Sequence, residues 1–156
     1  MGVAGSGKTT IGRRLAAELG WTFRDADEFH PPANIAKMTR GAPLDDADRQ
    51  PWLAAIREFI AETLARGGQA VVTCSALKEN YRQILVSDRT HVKLVHLAGD
   101  YDLILRRLEQ RQGHFMKPAM LRSQFESLEP PEDALNVDVA QSPAAIVAQI
   151  RHAILR

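Results

Sequence analysis

Only one cysteine, Cys74, occurs in the 156 residues, which excludes an internal disulfide, argues against a cysteine-built zinc site and makes a reducing, cytoplasmic setting the expectation. Long apolar runs are missing as well. No stretch approaches the roughly 20 residues that a spanning helix needs, and the opening Met-Gly-Val-Ala-Gly lacks the basic start and apolar middle of a secretory signal. Gly2 and Ser6 fit the short myristoylation pattern, but a phosphate-binding use for these glycines explains more of the neighbouring sequence. Nor is there a surplus of charge: 20 Lys and Arg stand against 19 Asp and Glu, so no overall field draws the chain to nucleic acid or to a membrane surface. A small-molecule partner is expected, and any anion site has to be local.

What remains is an ordinary globular composition, 45% hydrophobic and 25% charged, sized for a single domain over 1–156 with one cleft. Ile11, Leu15 and Leu19 share a helix face that Gly20 stops, and Trp21 to Arg24 is a short β-prone run delivering Asp25-Ala26-Asp27. Pro31-Pro32 starts a short helix carrying Ile35 and Met38. Asp45 caps a long one carrying Trp52, Ile56, Phe59, Ile60 and Leu64, with Pro51 tolerated if that helix begins near it. Ala70 to Cys74 and Val92 to Leu97 read as core strands around a helix from Lys78 to Val86. Asp100 to Gln112 is helical, a mixed segment runs from Gly113 to Pro131, and Leu135 to Val139 is a last strand before a closing helix with Ile146, Ile150 and Ile154. This alternation predicts an α/β three-layer sandwich, a parallel sheet with helices on both faces.

Gly2-Val3-Ala4-Gly5-Ser6-Gly7-Lys8-Thr9 fits G-x-x-x-x-G-K-[ST], the phosphate loop. Gly2, Gly5, Ser6 and Gly7 let backbone N–H groups turn inward as an anion nest, Lys8 reaches the terminal phosphates, and Thr9 offers a hydroxyl to Mg²⁺, with Thr10 beside it at the helix start. ATP with Mg²⁺ is therefore the expected ligand. Asn34, Asn80 and Asn136 all lack a following Lys, which argues against a guanine-reading motif, and the strand through Cys74 ends without the Asp that commonly holds Mg²⁺ in such proteins. Asp25 and Asp27 are left for that work. In strand geometry they point to opposite sides, so Asp25 is assigned to the metal's water shell and Asp27 to the attacking hydroxyl, against the simpler reading of a solvated turn. Arg107 and Arg111 share a helix face and suit a cationic lid over the transferring phosphoryl group, or a solvated basic face beside Glu109. His30 and His114 lie in loops that substrate could pass.

As a set, these residues resemble the gluconokinases. The phosphate loop, Asp25 to Pro31, Lys37-Met38 before Gly41-Ala42-Pro43-Leu44, Asp48 to Leu53, Cys74 to Lys78, Tyr81-Arg82, Gly113 to Met116, Ser123-Gln124-Phe125 and Leu128 to Pro131 follow that family's order nearly end to end. The resemblance implies transfer of the ATP γ-phosphate to the 6-hydroxyl of D-gluconate, an acceptor segment at about 28–50, a lid at about 111–131 and a homodimer. A sugar acid needs a cation for its carboxylate and polar groups for its hydroxyls; Lys37, Arg49, Lys78, Arg82, His30 and His114 are the candidates, with none singled out. By similarity to related kinases, Arg107 lies against adenine, Arg111 contacts phosphates, and Gln141 and Pro143 border the adenine.

Two departures stand out. Ala26 replaces a glycine common in the family, and the strand that precedes the phosphate loop in that family is missing, since only Met1 precedes Gly2. The expectation is that the functional chain begins about 6 to 12 residues upstream, a strand and a short lead. The competing readings are a kinase of another small acceptor, shikimate or a nucleoside monophosphate, and a nucleotide-binding module without turnover.

Overall fold

The computed structural model describes residues 1–110 and 118–156. Helix α1, Lys8–Leu19, starts where Gly7 turns the chain at φ 93° and ends on left-handed Gly20, whose N–H returns to the Ala16 and Ala17 carbonyls. Strands β1, Thr22–Asp25, and β2, Ala70–Thr73, pair in parallel with Thr22 opposite Ala70 and Asp25 opposite Thr73. Gly12 brings α1 down onto them: a Cβ there would come 2.5 Å from the Thr73 methyl and 2.9 Å from the Phe23 ring.

Between these strands lie helices α2, Pro32–Thr39, and α3, Asp46–Ala65. Asp45 caps α3 by accepting from the Asp48 N–H while the Asp48 carboxylate accepts from the Asp45 N–H, a reciprocal box that fixes the helix start. Pro51 therefore falls inside the helix rather than at its first turn, and the chain forgoes the hydrogen bond its missing N–H would have made. Helix α4 spans Glu79–Leu85, and β3, Val95–Ala98, pairs in parallel with β4, Leu135–Asp138. Helices α5, Tyr101–Gln110, α6, Pro118–Ser127, and α7, Pro143–Ile154, complete the chain; α6 gives order to part of the segment expected to be mixed.

Strand alternation sends neighbouring side chains to opposite layers. Val71, Val95, Leu97, Leu135 and Val137 pack with Ile11 and Leu15 of α1 and Ile146, Val147 and Ile150 of α7. Val72 and Cys74 face the other way, onto Trp52, Leu53 and Ile56 of α3 and Tyr81 and Leu85 of α4. The expected three layers are present, with one difference: the parallel sheet is in two pairs, β1–β2 and β3–β4.

Between the pairs stands Met1. Its amine donates to the Val95 carbonyl, its carbonyl accepts from the Leu97 N–H, and the Gly2 N–H donates to the Ser75 carbonyl. Met1 thus follows the parallel-strand hydrogen-bond pattern along β3, directly ahead of the phosphate loop. A cavity of about 740 Å³ continues from it, lined by Ala70 to Cys74 on one side and Val92 to Val95 on the other. Residues 92–94, expected in strand, have no ladder partner on that side among the described residues and stay outside β3.

Burial pushes the Met1 amine down from 8.0 to about 5. Its folded value lies below its unfolded one, so the unfolded chain binds the extra proton and stability is lost as pH falls from about 8 toward 5. An apolar Val/Ile extension of about five residues before Met1 should raise the urea midpoint and flatten that dependence, whereas a Gly/Ser extension should do less; urea melts of the three chains at pH 6 and 8 check this. Equal midpoints would show that the core closes without a strand there.

Candidate active site

The phosphate loop is shaped by two left-handed glycines, Gly5 at φ 78° and Gly7 at φ 93°. Gly5 is also held close to α5, where a Cβ would stand 2.8 Å from Leu108. Lys8 is turned onto its own loop, Nζ donating to the Val3 carbonyl at 2.9 Å, and burial lowers its pKa. The Ala4 N–H donates at 2.7 Å to Oε1 of Gln124 on α6, a side-chain oxygen standing where the nest offers a donor to an anion. Ser6 Oγ is buried and has no hydrogen-bond partner among the described residues. Left-handed glycines, a half-buried cation and an orphaned hydroxyl suit the polyphosphate of ATP.

The loop's threonine meets the end of β1. Thr9 Oγ1 donates to Asp25 Oδ2 at 3.1 Å, placing two hard oxygen ligands side by side, the kind of donor set Mg²⁺ uses while keeping several waters. No larger cluster of candidate metal ligands occurs among the described residues. The geometry of the carboxylate pair differs from the expectation. Asp25 ends the strand, but Asp27 belongs to a 3-10 turn, Ala26–Phe29, so strand alternation does not separate them. Instead Asp25 Oδ1 accepts from the Asp27 N–H, and Glu28 accepts from the Asp25 N–H. Trp52 Nε1 pins this turn by donating to the buried Ala26 carbonyl at 2.7 Å, and the Asp27 side chain is left 88% exposed, free to meet an acceptor.

The acceptor side follows from His30. Its ring stacks on Trp52 with centroids 4.6 Å apart, Nε2 lies 3.9 Å from Asp27 Oδ1, and Asn34 Nδ2 contacts Nδ1 at 3.4 Å. Burial lowers its pKa, with Asp27 pulling the other way and Arg49 adding to the depression. Lys37 is taken up by Asp48 at 2.5 Å and Asp45 at 3.8 Å. Lys78 meets Asp46 at 3.1 Å, Tyr81 donates its hydroxyl to the same carboxylate, and Arg49 donates to the Tyr81 hydroxyl at 3.2 Å. Arg82 does not join them: its side chain is 3% exposed and braces the chain before α4 through the Ala76 and Leu77 carbonyls and Glu79. Spacing put Arg82 beside Tyr81 without revealing that it points inward.

On the opposite flank, Arg107 Nη2 donates to the Val139 carbonyl at 2.6 Å and so ties α5 to the turn after β4. Gln141 lies on that turn and Pro143 opens α7, capped by Ser142. Arg111 and His114 lie outside the described residues. Asp46, Tyr81 and Gln124 were not among the sequence candidates; the acidic run at the start of α3 pointed only to a cap, and nothing local signals that Gln124 reaches the loop.

The family model described as shikimate kinase matches residues 4–152. A thermosensitive gluconokinase of Escherichia coli K12 is 43% identical over 99% of this chain and 85% of its own length. A gluconokinase of Gluconobacter oxydans is 44% identical over 97% of this chain and 88% of its own. Among solved structures, a gluconokinase from Sinorhizobium meliloti superposes with a TM-score of 0.82 at 40% identity, covering 99% of this chain and 93% of that one.

Lys8→Ala should lower kcat by roughly a thousandfold in a folded protein, because the charge on the transferring group is lost. Asp27→Asn should lower kcat by roughly a hundredfold with ATP affinity nearly kept, while Asp25→Asn should raise the Mg²⁺ requirement. Steady-state kinetics with a Mg²⁺ titration check all three; a larger kcat loss in the Asp25 variant without a shifted Mg²⁺ requirement would reverse the two roles.

Proposed function

Because the chain belongs to the gluconokinases, within the shikimate-kinase family of P-loop kinases, we propose that it transfers the γ-phosphate of ATP to the 6-hydroxyl of D-gluconate, giving 6-phosphogluconate and ADP. The observation that carries the reading is the Thr9–Asp25 contact, which joins the phosphate loop to a strand end whose next carboxylate, Asp27, is exposed beside His30.

Gly2, Gly5, Ser6, Gly7, Thr9 and Thr10 form the polyphosphate cradle, and Lys8 leaves the Val3 carbonyl to follow the charge of the γ-phosphoryl group. Arg107, Gln141 and Pro143 border the base. Mg²⁺ held by Thr9 and by way of the water shell near Asp25 would neutralise charge on the phosphates. Asp27 orients the 6-hydroxyl and accepts its proton as the new O–P bond forms and the bond to ADP breaks. Buried His30 stays largely neutral and donates rather than carrying charge. Arg111 and His114 are assigned to the lid. The chain works as a single domain whose partner is a small molecule, in a cytoplasmic setting, and no described helix is long and apolar enough to cross a membrane.

The match to the shikimate kinase family keeps one other acceptor in view. ADP release measured with D-gluconate, shikimate and AMP separates them: gluconate is expected to be turned over with kcat/KM at least a hundredfold above the others, in the range of substrates that fit a site's hydrogen bonds. Preference for shikimate or AMP would overturn the acceptor assignment, and no ADP release with any would leave nucleotide binding without transfer.

A further inference from the structure

The Val3–Ala4 peptide is gripped at both edges. Lys8 Nζ donates to its carbonyl at 2.9 Å, and Oε1 of Gln124 accepts from its N–H at 2.7 Å. No cis bond occurs among the described residues, so the carbonyl and N–H of this peptide point to opposite sides of the chain. The ammonium therefore holds one edge and the amide oxygen the other. Each bond polarises the peptide in the sense that strengthens its partner, and turning the plane breaks both.

The helix that carries Gln124 is fixed without it. Leu121, one turn before, is fully buried, and with Phe125 and Leu128 it packs against Val3, Ile104 and Leu108. The Phe125 ring meets Tyr101 edge-on, with centroids 5.4 Å apart. Just past α6, the Glu129 N–H donates to the Leu77 carbonyl at 2.9 Å, and the Glu129 carboxylate accepts from the Glu79 N–H at 2.5 Å. Gln124 thus reaches the phosphate loop from a docked helix, and a change confined to its amide leaves that docking in place.

What the grip does follows from the surroundings of Lys8. Burial lowers its pKa, while Cys74, Asp27 and Asp25 act in the opposite sense. Burial also pushes the Cys74 thiol up to about 11, so it stays neutral, and the two carboxylates are left to compete for the ammonium. A hydrogen bond from an ammonium to a carboxylate is stronger than one to a neutral carbonyl. An amine drawn to Asp25 or Asp27 would be harder for a phosphate to recover, and it would cover the oxygens assigned to the metal and the acceptor. The Val3 carbonyl is a neutral resting place, kept in position while the Ala4 N–H is held.

We infer that Gln124 is a positioning residue for nucleotide binding: by accepting from Ala4 it orients the Val3 carbonyl toward Lys8 and so keeps the ammonium off the two aspartates until ATP arrives. The inference rests on the ATP-binding reading of the loop. A glutamine suits the task because it accepts the hydrogen bond without bringing a negative charge to the polyphosphate.

Gln124→Leu removes the acceptor oxygen, and Gln124→Met does so at nearly the native length. In both, kcat/KM for ATP and the affinity for a non-hydrolysable ATP analogue should fall about tenfold, the loss of one hydrogen bond. Measured at saturating ATP, kcat/KM for gluconate should change little. The Ala4 amide proton resonance should move upfield in both variants and stay in place in Gln124→Glu, which keeps an accepting oxygen. A role in helix packing alone would not couple to Lys8, so on a Lys8→Ala background the effect of Gln124→Leu on analogue affinity should vanish. Thermal midpoints check that each variant is folded. An unmoved Ala4 resonance, an affinity loss that persists in full without Lys8, or a loss seen only in kcat/KM for gluconate would each overturn the inference. A wild-type protein that binds the analogue but releases no ADP with gluconate, shikimate or AMP is a separate result. It removes the proposed transfer, while the resonance and the Lys8 cycle still decide the role of Gln124.

Discussion

The site depends on how closely α1 is pressed against the β1–β2 pair. With no side chain at Gly12 the helix settles onto Thr73 and Phe23, at a distance that any Cβ would close to 2.5 Å. That contact sets the height of the helix amino end above the strand ends, and so brings Thr9 within 3.1 Å of Asp25. Farther away, the phosphate loop, Lys8 and the carboxylate pair would each be present but would not converge on one phosphate chain. Gly5 does the same on the other flank, where Leu108 of α5 lies against it. Close backbone approach, rather than glycine flexibility alone, makes the loop a site.

Around this fixed point the groups that handle charge are held by the chain's own polar atoms. Lys8 rests on the Val3 carbonyl, Ala4 gives its N–H to Gln124, and Asp46 holds Lys78 and Tyr81. Each contact is one that a ligand oxygen or carboxylate is able to replace in kind, so binding exchanges hydrogen bonds and leaves few of these groups bare. Gln124 has a further consequence: it links α6, within the proposed lid segment, to the loop that the lid would cover.

The fold was largely legible because its signals are local. Helix faces at Ile11/Leu15 and Ile146/Ile150, the Asp45 cap and the glycine stop at Gly20 all depend on residues a turn or two apart. Two readings moved for the same kind of reason. Asp27 left the strand because Asp25 caps a 3-10 turn beneath it, and Pro51 was enclosed because Asp45 and Asp48 start the helix before it. Each was decided by a hydrogen bond whose geometry periodicity does not encode.

By itself the sequence determined the phosphate loop, the paired aspartates, the alternation that builds three layers and a family resemblance running nearly end to end. Tertiary structure alone decided that Arg82 turns inward, that Lys37 is taken up by Asp45 and Asp48, that Lys78 and Tyr81 share Asp46, and that Gln124 touches Ala4. Asp46 and Lys78 are 32 positions apart, and Ala4 and Gln124 are 120. Whether a charge is available to a ligand depends on what the docked helices place within a few ångströms of it, and Coulomb and hydrogen-bond energies follow distance in space, with no regard to distance along the chain.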